Sequence, residues 1–112
     1  MIADDVIEGI LARNTEVTGL MSQPEIATDP TQMADLGREH MTLRSLVESI
    51  TAYRELIAER DDLKSMVEGE EDPEIIEMAT LELGEIEDRL PQIEEELQFK
   101  LLPRDPADSK NV

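Results

Sequence analysis

The chain has 112 residues and carries 28 Asp and Glu against 10 Lys and Arg, a formal charge of −18, which disfavours non-specific nucleic-acid binding and resists compaction by self-repulsion. Cysteine is absent, so disulfides, thiolate zinc sites and cysteine nucleophiles are excluded, in agreement with a reducing compartment. Aromatics number two, Tyr53 and Phe99; the remaining apolar content is Leu, Ile, Val, Met and Ala, which suits helix–helix packing and predicts an elongated all-α fold.

The amino terminus, Met1-Ile2-Ala3-Asp4-Asp5, has neither the basic start and apolar run of a signal peptide nor the Arg-rich bias of a mitochondrial presequence. No apolar run approaches the ~20 residues that span a bilayer. A cytoplasmic location without a membrane partner is expected.

The first predicted helix runs from about Asp4 to Met21 and gathers Val6, Ile7, Ile10, Leu11, Val17 and Leu20 near one face. Gly9 and Gly19 each weaken it by about 1 kcal/mol relative to Ala, so it should pack rather than stand alone. Ser22 with Glu25 three residues later reads as a capping box, with Pro24 in the first turn, and predicts a short helical turn from Ser22 to Ala27.

A cleaner start follows, with Asp29 as N-cap, Pro30 at the first helical position and Gln32 completing a box. From Pro30 to Glu68 such a helix is about 58 Å long at 1.5 Å per residue. Leu36, Leu43, Ile50 and Ile57 recur every seven residues beside Met33 and Val47 and predict a seam. Gly69 is the expected helix end, and Gly69-Glu70-Glu71-Asp72 the reversal.

Asp72 and Pro73 repeat the start signal for a last helix to about Leu102. Its seam is Ile76, Leu83, Leu90 and Leu97, interleaved with Ala79, Ile86 and Ile93. Glu85 with Arg89, and Glu96 with Lys100, are expected i,i+4 pairs on the outside, each worth a few tenths of a kcal/mol. Pro91 lies inside this helix, where a kink rather than an end is expected. Two long helices joined by a short turn must lie antiparallel, so the prediction is a helical hairpin, Pro30–Glu68 with Pro73–Leu102, whose open side the first helix covers. Beyond it, Pro103 and Pro106 cannot continue a helix. Residues 1–102 therefore read as one helical domain, and 103–112 as an extended linker toward a domain that the chain does not contain.

No catalytic residue, cofactor site or metal site is assigned. His40, the single histidine, falls near the seam of the second long helix without a partner group and reads as a packing residue. Glu70, Glu71, Asp72 and Glu74 lack the alternating oxygen ligands and central glycine of a calcium loop and read as a solvated helix start. Glu94-Glu95-Glu96 reads as a solvated helix back, or as a docking face for a basic partner. Arg38, Arg44, Arg54, Arg60, Lys64, Arg89 and Lys100 are candidate anchors for an acidic surface or a phosphate, and spacing does not rank them. The partner-binding residues stay unassigned.

Several segments carry a family likeness. Glu94-Glu95-Glu96-Leu97, Leu101-Leu102-Pro103-Arg104-Asp105-Pro106 and Asp108-Ser109-Lys110-Asn111-Val112 closely resemble the stretch that precedes the catalytic half of bacterial peptide chain release factors. Within that family they look like the branch that reads UAA and UAG, whose sister branch has a different, aromatic-containing sequence at this junction. Upstream, Ser22-Gln23-Pro24-Glu25, Thr28-Asp29-Pro30, Arg38-Glu39-His40, Glu71-Asp72-Pro73-Glu74 and Glu77-Met78-Ala79 fit the same family in the same order.

The resemblance implies the N-terminal helical domain of a class-1 termination factor. Such a domain projects toward the GTPase-associated region of the ribosome, near the stalk-base protein, while the stop codon and peptidyl-tRNA are contacted by other domains. The family's Gly-Gly-Gln and Pro-x-Thr-type motifs are not in this sequence, whose glycines at 9, 19, 37, 69 and 84 are never adjacent; the chain alone is not expected to be an enzyme. Heptads and charge by themselves fit a rival reading equally well, an unrelated antiparallel coiled-coil scaffold or self-association module.

Overall fold

The computed structural model describes residues 2–102, and among them the regular structure is all helix, with no strand. Helix α1 spans Asp4–Met21, α2 Pro24–Ala27, α3 Pro30–Gly69 and α4 Pro73–Leu101. The antiparallel hairpin of α3 and α4 is thus as expected, in a molecule 62 × 37 × 20 Å in extent. The extended linker expected over 103–112 lies outside the described residues.

The α3 start follows from its cap. Asp29 Oδ1 accepts from the amides of Thr31 and Gln32 at 3.1 and 3.2 Å, satisfying two of the amides a helix start leaves without partners. Gln32 contributes differently from a capping box: its side-chain amide donates to Asp29 Oδ2 at 2.8 Å, while the Asp29 amide bonds back to Ile26. These bonds, the Gln32 side chain's foremost, hold the Asp29 carboxyl below its ordinary value.

The box expected at Ser22 and Glu25 does not form. The Ser22 hydroxyl donates backwards to the Thr18 carbonyl at 3.0 Å, so Ser22 closes α1 and Gln23 becomes the α2 N-cap without a side-chain bond. A serine after a helix can satisfy either neighbour, and here the longer one prevails.

At the reversal, Gly69 is the last residue of α3 rather than a left-handed cap, since no described glycine has a positive φ. Extended Glu70 ends the helix, and its Oε1 accepts from the amides of Glu71 and Asp72 at 3.0 and 3.2 Å. Asp72 Oδ1 then accepts from Glu74 at 3.0 Å and starts α4. The reversal is thus held by carboxylates that accept the amides of the turn and of the α4 start, without a residue at positive φ.

The α4 seam is largely as expected: Ala79, Ile86, Leu90 and Leu97 are buried, with Ile76, Leu83 and Ile93 half-buried. The α3 seam differs. Leu43 and Ile50 are buried, but Leu36 and Ile57 are only half-buried, and the core runs on through Tyr53, Leu56 and Leu63. The reason is that α3 has neighbours on two flanks. Glu39 and Arg54 pair with α1, whereas Ser45, Ser49 and Tyr53 bond to α4. A single seven-residue stripe cannot serve two partners, so the buried face widens.

The shorter first helix packs against the hairpin as expected; its backbone lies on α3 and stays away from that of α4, while Ile7 joins the core that α3 and α4 share. Ile7 and Val17 are its buried residues, and Ile2, just before it, joins the main core. Pro91 lies within α4, which continues through it to Leu101.

Candidate functional site

Among the described residues no three His, Cys, Asp or Glu side chains converge as metal ligands, and no helix is long and apolar enough to cross a membrane. His40 is half-buried on α3. What the chain presents is surface, in three regions set by the hairpin.

The first is the turn. Glu70 and Asp72 are engaged by backbone amides, as above, leaving Glu68, Glu71, Glu74 and Glu77 exposed around the end of the hairpin. Met66 and Met78 are exposed beside them. Acidic groups interleaved with methionine make a surface that repels phosphate and can pack against protein.

The second is the α1–α3 junction, which is held by ion pairs. Arg13 forks onto Glu39, Nε to Oε2 at 2.6 Å and Nη2 to Oε1 at 2.7 Å, and also meets Glu16. Arg54 reaches Glu8 at 2.7 Å. The bidentate geometry is the strong form of this contact. It raises Arg13 above its ordinary value, through Glu39 first and Glu16 next, and lowers Glu39 through the same hydrogen bonds.

The third is the outer face of α4 near its C-terminal end. Among the described residues, Gln92, Glu95, Glu96, Phe99 and Lys100, all of α4, line a shallow depression of about 520 Å3. Phe99 is 75% exposed there.

Of the cations singled out in the sequence, most are already engaged: Arg38 with Asp35, Arg44 with Glu48 at 3.4 Å, Arg54 with Glu8 and Arg60 with Asp61 at 3.1 Å. Lys64 and Arg89 are exposed. The expected Glu85–Arg89 and Glu96–Lys100 pairs are not made within 4.0 Å, and Lys100 instead donates across the hairpin to Ser45 Oγ at 3.1 Å and Ser49 Oγ at 2.7 Å. Arg13 is not among those cations, although it is the one cation of α1, a helix with four acids. Tyr53 is also core, and its position three after Ile50 is the sequence signal for it.

Comparison with known proteins covers nearly the whole chain. Residues 10–112 match the PCRF domain. The chain is 35% identical over 108 residues to peptide chain release factor 1 of Flavobacterium johnsoniae, an alignment covering 96% of this chain and 30% of that protein. With the protein of the same name from Symbiobacterium thermophilum it shares 37% over 106 residues, 95% of this chain and 30% of that one. With that of Salinibacter ruber it shares 41% over 112 residues, 100% and 31% respectively. The chain therefore spans about a third of the length of these relatives. No solved structure matches it.

Proposed function

Because the chain belongs to the PCRF domain family of peptide chain release factors, we propose that it is the N-terminal ribosome-engaging domain of a translation termination factor that reads UAA and UAG. Its part is placement on the ribosome, by contact with the stalk base in the GTPase-associated region. Codon reading and ester hydrolysis belong to other domains of the factor, since this sequence has no Gly-Gly-Gln motif. The working place is the cytoplasm.

The observation that carries this reading is the hairpin's reach. The 29 residues of α4 separate the acidic turn from Leu101 by about 44 Å at 1.5 Å per residue. A rigid arm of that length, tipped with Glu71, Glu74, Met66 and Met78, is suited to touch a protein surface at a distance from the segment after Leu101. Its charge makes ribosomal protein a better partner than ribosomal RNA.

Titration of stalled ribosomes with the whole factor and with a version lacking residues 1–102 tests it. The shortened factor should keep measurable release at saturation but need more factor for half-maximal rate. A large fall in maximal rate at unchanged concentration dependence would assign the domain to the chemistry instead.

A further inference from the structure

The depression on the outer face of α4 has a composition that the hairpin's own packing does not explain. Phe99 is the sole phenylalanine of the chain, and its ring stands in solvent on a helix whose other face supplies the buried Leu90 and Leu97. An isolated exposed apolar side chain is ordinary. Here, however, Glu96 and Glu95 lie three and four residues before the ring and Gln92 seven before, all lining the same depression, so that carboxylates and ring edge share one helix face.

Lys100 also lines this depression, but its ammonium is engaged elsewhere. Lys100 is at the i+4 position from Glu96, the favoured order for a helical ion pair. Its ammonium is instead bonded to Ser45 and Ser49 of α3. Neither Glu95 nor Glu96 has an ion pair among the described residues, and both are exposed. Two carboxylates thus flank an accessible aromatic ring, against one lysine committed elsewhere.

From this arrangement we infer that the Gln92–Phe99 face of α4 docks a partner protein through an arginine. The occupant is a basic protein segment. A planar guanidinium can stack on the Phe99 ring while its N–H groups donate to Glu95 and Glu96, and Gln92 offers an amide to the same group. Arginine suits the site better than lysine because it satisfies stacking and forked donation together. Nucleic acid is the wrong occupant, since its bases could stack on Phe99 but its phosphates would meet Glu95 and Glu96. The site lies toward the Leu101 end of α4, away from the acidic turn, and does not depend on the role proposed for that turn.

The test uses the 112-residue chain, labelled with nitrogen-15, and a synthetic helical peptide presenting arginines four residues apart. Matched peptides carry lysine or citrulline instead, and a single-stranded RNA oligonucleotide is the fourth probe. The arginine peptide should shift the amide signals of residues 92–99 most. Phe99→Ala should weaken it by about threefold to fivefold, the loss expected of an exposed cation–π contact, and Glu95→Gln with Glu96→Gln by about tenfold. Lysine should bind less tightly, and citrulline and RNA should not bind there. Glu71→Gln with Glu74→Gln, at the distant turn, should leave the affinity nearly unchanged. All these side chains are exposed, and circular dichroism checks that each variant keeps its helices. The inference is overturned if the largest shifts fall at the turn, if Phe99→Ala binds as tightly as the native chain, or if RNA occupies the same face.

Discussion

The Tyr53 hydroxyl donates to Glu94 Oε1 at 3.3 Å, joining the middle of α3 to the last third of α4. The same oxygen accepts from the amide of Ile2 at 3.5 Å. One buried phenol therefore ties together the two long helices and the segment that leads into α1. Burial disfavours the phenolate, and the nearby Glu94 carboxylate disfavours it further, so Tyr53 is pushed above its ordinary value.

Tyr53→Phe keeps the ring and removes both bonds, which at these lengths should cost about 0.5–1.5 kcal/mol. The pH dependence has a definite sign. Tyr53's raised value makes its contribution complete below the ordinary value of 10.0, and that contribution is lost as pH rises through the folded value. Urea melts of the native chain and of Tyr53→Phe should therefore differ at neutral pH and converge above about pH 10. A constant gap across that range would mean that the phenol titrates as it does in water.

Leu97 is fully buried and Leu81, on the same helix, is 67% exposed. Leu97→Ala should cost about 2–5 kcal/mol, transfer and cavity together, whereas Leu81→Ala should stay within about 0.5 kcal/mol. Thermal melts by circular dichroism read both. Equal midpoints for the two variants would contradict the assigned inner and outer faces of α4. Leu90→Asp, which buries a carboxylate in the same seam, should loosen the hairpin outright.

These contrasts mark what the sequence could disclose. Asp29-Pro30 and Asp72-Pro73 announce α3 and α4 because a cap and a first-turn proline are local devices. The α4 seam was readable because that helix packs on α3 alone among the long elements. Leu56 and Leu63 were not, because α3 also carries α1, and no local pattern says how many neighbours a helix has. Lys100 was assigned to Glu96 for the same reason: Ser45 and Ser49 lie more than fifty residues away in sequence and become alternatives only when the hairpin closes. The family likeness of the tail was legible, and so was the outward side of Phe99, since two residues after Leu97 is about 200° around a helix and away from the seam.

Glu39→Gln should loosen α1 in a pH-dependent way. The Arg13 guanidinium holds the Glu39 carboxyl below its ordinary value of 4.5. The stability from this pair is therefore present above that value and lost as pH falls through the lower folded value. Hydrogen exchange in α1 should be faster in the variant than in the native chain at neutral pH, and the difference should vanish in acid. Both groups are only half-buried, so high salt should narrow the difference as well. A difference that persists at the lowest pH would show that Glu39 acts through its packing.

Pro91→Ala should stabilise the hairpin. Pro91 is exposed inside α4 and supplies no amide for the carbonyl one turn back, at Glu87. Against the roughly 3 kcal/mol that a mid-helix proline costs stands the chain entropy a proline removes from the unfolded state, about 1 kcal/mol. The net gain expected is therefore about 2 kcal/mol. Gly84→Ala is the reference on the same helix: a Cβ there meets nothing within 4 Å, so it should give only the propensity gain of about 0.5–1 kcal/mol. Denaturant melts of both single variants and the double decide the matter. If Pro91→Ala gains no more than Gly84→Ala, the helix has already relaxed around the proline. If it gains clearly more, Pro91 is a weak point in the helix that carries the seam from the acidic turn to Leu101.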